Sequence, residues 1–89
     1  MKIVVTIIGK DQVGIIATFS AILAEHHVNI VSINQNIMDG FFNMVMLAET
    51  ADDKIKLVEL QKLMKEKGEG MGLEVKIQHA DIFTAMHRI

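Results

Sequence analysis

Few side chains in this 89-residue chain could do chemistry, and their spacing argues against most of what they could do. His26 and His27 are adjacent, so on a helix end they point in different directions and cannot close on one metal ion. Neither they nor His79 and His87 have the i, i+3 or i, i+4 spacing of a helical ligand pair, whereas a contact with the negative end of a helix suits His26 and His27. Met38, Met44 and Met46 fall at strand spacing, where methionine fills core rather than binding copper. Cysteine is absent, which removes disulfides, a thiol nucleophile and thiolate metal sites. Ser20 and Ser32 lie in helix and strand patterns with no nucleophile elbow around them. A phosphate-cradling loop after the first strand would need an arginine there, and the sole arginine is Arg88. The expectation is a protein that is not an enzyme and holds no metal or cofactor.

Residues suited to binding rather than reaction are Asp11, Gly14 and Asn29. Asp11 precedes a helical pattern, so it reads first as an N-cap using the amide of Val13 or Gly14, with a ligand contact as a second role. Gly14 removes a side chain where a helix start offers amides to an anion, although close helix packing would also explain it. Asn29 can donate to a carboxylate and accept from an amine, or satisfy backbone groups in a helix-to-strand turn.

The elements that must position these residues follow from changes of hydrophobic period. Lys2 to Ile8 is a β-branched run apolar on both faces, as in a central strand. Ile15, Ile16, Phe19, Ile22 and Leu23 form one helical stripe ending near His26 and His27. Val28 to Met38 and Phe41 to Glu49 are extended runs joined by Asp39-Gly40, the type I′ hairpin dipeptide. With Met38 facing Phe41, Val31, Ile33 and Ile37 share a face with Phe42, Met44, Met46 and Ala48; Ile30 falls on the other face, and a bulge would exchange such assignments.

Thr50 and Asp53 resemble a capping box for a second helix with Leu57, Leu60, Leu63 and Met64 buried and Gly68 as its stop. Leu73, Val75 and Ile77 alternate with Glu74, Lys76 and Gln78 as in a half-exposed edge strand. Asp81 opens a short terminal helix carrying Ile82, Phe83 and Met86. The order βαββαβ predicts an α+β, ferredoxin-like domain over residues 1–89. Its four-stranded antiparallel sheet has strands one and three central, with both main helices on one face.

Composition narrows the function classes. With 9 basic against 11 acidic residues, no Trp or Tyr and 4 Phe, the chain has neither the positive field nor the stacking surface of a nucleic-acid binder. Its apolar N-terminal run is interrupted at Gly9, Lys10 and Asp11, too early for a signal or a membrane span. The expectation is a soluble, cytoplasmic protein with neither nucleic acid nor membrane as partner. A hydrophobic fraction of 51% in so short a chain, together with the doubly apolar first strand, predicts a homodimer.

Gly9-Lys10-Asp11-Gln12-Val13-Gly14-Ile15 at the first strand-helix turn, Ala24-Glu25-His26-His27-Val28-Asn29-Ile30 after the helix, and Gly40-Phe41-Phe42 with Met44-Val45-Met46 together resemble the ACT domain. The likeness runs from strand one to strand four and is similar to stand-alone members of the glycine-cleavage regulator group. It implies a regulatory module that senses an amino acid at a homodimer interface and acts on a regulated enzyme or regulator. By position it implies ligand contacts from Asp11, Gln12, Val13 and Gly14 at the turn and from Asn29 and Ile30 at the start of strand two. Members that bind serine have histidine, asparagine and proline where this chain has Gly9, Asp11 and Val13; a carboxylate at Asp11 suits an ammonium group. The alternative is a ligand-free protein-protein interaction module on the same fold.

Overall fold

The computed structural model describes residues 1–50 and 57–80. Its elements are β1 (Lys2–Lys10), α1 (Ile15–Glu25), β2 (Asn29–Met38), β3 (Phe41–Glu49), α2 (Leu57–Gly70) and β4 (Leu73–His79). The strands form one antiparallel sheet in the order β2-β3-β1-β4, so the first and third strands are central, as the ferredoxin-like βαββαβ arrangement requires. Asp53 and the terminal helix expected from Asp81 lie outside the described residues.

The strand period divides β1 cleanly. Ile3, Val5 and Ile7 enter a core shared with Met44, Met46, Ala48, Val75 and Ile77 from neighbouring strands and with Ile15, Phe19, Leu23, Leu60 and Met64 from the helices. That single core covers one sheet face. Val4 and Ile8 belong to the other, where Val4 is buried and Ile8 half-exposed. Ile16 and Leu63, expected within the buried helical stripes, are partly exposed because each lies at the margin of its stripe.

Two expectations about β2 and α2 are corrected. Met38 pairs with Phe41 and Ser32 with Leu47, but the register then shifts so that Ile30 faces Ala48, leaving Val31 as the extra residue of a bulge. Ile30 therefore packs against the core, and Val31, 53% exposed, does not. Ile33 and Ile37 keep their expected face yet remain 44% and 50% exposed, because β2 is an outer strand. Gly68 does not end α2, which runs on to Gly70. It is a contact point instead, since a Cβ there would stand 2.5 Å from Val75 Cγ2 and 3.1 Å from the Leu73 carbonyl oxygen.

The end of α1 explains an unusual backbone. His27 N–H donates to Ala24 O (3.1 Å) and Val28 N–H to Leu23 O (2.9 Å), the paired bonds of a Schellman motif, with Val28 and Leu23 both buried. His27 occupies the left-handed position at φ 59° that glycine usually fills. One ring nitrogen of His26 meets Ile22 O at 2.8 Å, so Nδ1–H donates to a last-turn carbonyl, the helix-end contact its position suggested.

Candidate functional site

The turn between β1 and α1 is held by its neighbours rather than by a cap. The last β1 rung pairs Lys10 with Phe41, and the next amide, Asp11 N–H, donates to Gly40 O at 2.8 Å. Gln12 Nε2 donates to Met71 O (2.9 Å) and to Lys10 O (3.2 Å). The β2–β3 hairpin and the α2–β4 turn therefore both anchor this turn at one end of the sheet.

Asp11 is not the helix cap. The N-cap of α1 is Gly14, at φ 93° and ψ 4°, and no side chain bonds the first helical amides. Asp11 stands three positions before that cap position, too far for the side-chain bond that capping needs. Close packing does not explain Gly14 either, since a Cβ there would meet nothing within 4 Å. Its left-handed conformation is what favours glycine. The result is a helix start whose first amides have no side-chain cap, three positions after the Asp11 carboxylate; free amides suit an anion and a carboxylate suits a cation. Asp11, Gln12, Val13 and Gly14 are all exposed, and Val13 is 100% exposed.

Asn29 and Ile30 stand elsewhere. Asn29 opens β2 opposite Glu49, which pairs in turn with Lys2 at the start of β1. Asp11 follows the far end of that strand. The separation is the length of β1, roughly 26 Å at about 3.3 Å per residue. Within one chain the structure thus unites Asp11 through Gly14 and leaves Asn29 and Ile30 at the opposite end. Asn29 is exposed, whereas Ile30 is half-buried against the core.

Sequence reasoning missed the carbonyls of Gly40 and Met71 as the turn's anchors. Asp39-Gly40 marked the hairpin, but a backbone acceptor leaves no trace in residue type. A cleft of about 570 Å³ follows α2 and β4, and one of about 190 Å³ lies by Ile8, Met38 and Phe41; neither is lined by the turn. Among the described residues no group of three or more His, Asp or Glu side chains is arranged to hold a metal ion. Among them, too, no helix is long and apolar enough to cross a membrane.

Comparison with known proteins agrees with this fold. The family model for the ACT domain matches residues 1–78. A UPF0237 protein of Methanosarcina acetivorans is 46% identical over 88 residues, covering 99% of this chain and 96% of its own. One from Clostridium perfringens is 45% identical over 89 residues and matches all of both chains. The solved structure of an ACT domain protein from Streptococcus pneumoniae superposes with a TM-score of 0.83 at 32% identity, covering 93% of each chain. A putative glycine cleavage system transcriptional repressor shares the fold, with a TM-score of 0.76 at 15% identity over 86% of this chain and 45% of its own.

Proposed function

This chain belongs to the ACT domain family, and from that membership we propose that it is a non-catalytic regulatory module binding an amino acid or similar small metabolite at a homodimer interface. The observation that carries the reading is the open turn, where α1 starts on a left-handed glycine with no side-chain cap. Its first amides suit a carboxylate, and the Asp11 carboxylate suits an ammonium. Asn29 and Ile30 complete such a site only from a second subunit, because in their own chain they lie at the far end of β1. The likeness to a repressor of the glycine cleavage system supports a role in regulation.

Losing a charge-assisted contact to an enclosed ligand costs about 1.5 to 3 kcal/mol, or roughly 10- to 150-fold in affinity. Titration calorimetry of the full chain against the common amino acids and polyamines is the test. We expect saturable heat with one of them, reduced by that order in Asp11→Ala and in Asn29→Ala and unchanged in Asn43→Ala. The second reading, an interaction module without ligand, is favoured by the full exposure of the turn in one chain. Absence of heat and of thermal stabilisation across the whole panel would establish it in place of the first.

A further inference from the structure

We propose that the last nine residues of the chain, 81–89, fold back across the helix-free face of the sheet and lie over Val4 and Leu47. The partner for that surface is then the chain's own end, and the proposal stands apart from the ligand and dimer readings above.

Two valines on that face set the problem. Val4 and Val45 both sit on inner strands and both point away from the shared core, yet Val4 is 5% exposed and Val45 36%. Val4 lies between Leu47 and Gln78, and Val45 between Thr6 and Asn34. Flanking side chains stand beside a strand residue rather than above it, and the flanks of Val4 have lost exposure too. Leu47 and Gln78 are half-buried, whereas Asn43, Val45, Glu74 and Lys76 further along the same strands are exposed. On β1 the series Val4, Thr6, Ile8 runs from buried through half-buried to exposed, and beyond Val4 the rim pair of Lys2 and Glu49 is exposed again. The cover is therefore a band that crosses the sheet over Gln78, Val4 and Leu47.

Position and length say what forms it. Gln78 shares a rung with Val4, β4 ends one residue later at His79, and the chain continues through Ala80 into residues 81–89 at that edge of the band. From β4 across β1 to β3 is two strand spacings, about 10 Å, and nine residues in helical form span about 13 Å. Ile82, Phe83, Met86 and Ile89 share one helical stripe, the apolar surface that a valine and a leucine facing water call for. Residues 51–56 also start from this end of the sheet, but they must lead to α2, whose Leu60 and Met64 enter the core on the opposite face. The family match stops at residue 78, so the segment adds to what the ACT domain model describes.

The chain has no cysteine, so introduced thiols report on the band. In the full chain Leu47→Cys should react with a maleimide at least about tenfold more slowly than Val45→Cys, as a site reached only by local opening does. Adding Phe83→Asp should bring the two rates within about twofold of each other, with the circular dichroism of the sheet retained. Thr6→Cys combined with Met86→Cys should link within one chain through a short bismaleimide. Glu59→Cys combined with Met86→Cys should not, because Glu59 is exposed on α2, across the core. Protection of Leu47→Cys that survives Phe83→Asp, together with no link between positions 6 and 86, would overturn the proposal. So would protection that fades on dilution, which would make a second copy the cover, or equal rates for Leu47→Cys and Val45→Cys in the otherwise wild-type chain.

Discussion

Asp11 and Gly9 show how far a residue's type and its role can diverge. Asp11 precedes a helix as capping residues do, but α1 starts on Gly14 and no side chain caps it. Removing a true Asp cap costs about 0.5 to 2 kcal/mol. We therefore expect Asp11→Ala to leave the midpoint of urea unfolding unchanged even where it weakens ligand binding by the order given above. Gly9 carries no capping or turn signal, yet a Cβ there would stand 2.6 Å from Leu73 Cδ2 and 3.0 Å from Gly72 O. One of those neighbours is backbone and cannot yield. Overpacking of this kind costs about 1 to 3 kcal/mol, so Gly9→Ala should lower the unfolding free energy by that amount in urea titration. Gln12 was legible as part of a motif, but not as a brace. Its two acceptors, Lys10 O and Met71 O, are carbonyls that every residue type supplies.

Among the elements, those built on one strong period were readable and those decided by a neighbour were not. β1, β3 and β4 alternate or run apolar according to how many faces they bury, and the Asp39-Gly40 dipeptide set the hairpin register through to Ser32. The bulge at Val31 has no such marker, and it alone moves Ile30 into the core. Gly68 was misread for a related reason. Near a helix end glycine signals termination, but here the approach of β4 requires it while α2 continues to Gly70. The candidate site was legible as two motifs and not as a place, because residue spacing does not say which end of a sheet a turn occupies. The Schellman end of α1 provides a test at this scale. His27 holds a left-handed conformation that costs a non-glycine residue about 1 kcal/mol. His27→Gly should relieve it and raise the melting temperature by about 4 to 8 °C per kcal/mol gained, measured by calorimetry.

For the molecule as a whole, charge is distributed by flank. The β2–β3 side holds Asp39 alone between Asn29 and Ala48, whereas α2 and β4 carry acids and bases throughout. The homodimer proposed for this chain, if joined through the uncharged flank, would draw on backbone hydrogen bonds and apolar contact, which mobile ions screen little. For such a dimer the dissociation constant should change by less than about twofold between about 50 mM and 500 mM salt in sedimentation equilibrium. A steep dependence would place the contact on the charged flank instead. The strand order has a further consequence, in time rather than space. β1 leaves the ribosome ahead of both its neighbours, β3 and β4, whose partner residues run from Phe41 to His79. Among the strand pairs only the β2–β3 hairpin can close through local contacts, so β1 waits unpaired until Phe41–Glu49 has been made and gains its second neighbour only with Leu73–His79. Long-range pairing of this kind slows folding, and during synthesis β1 depends on whatever shields a nascent chain.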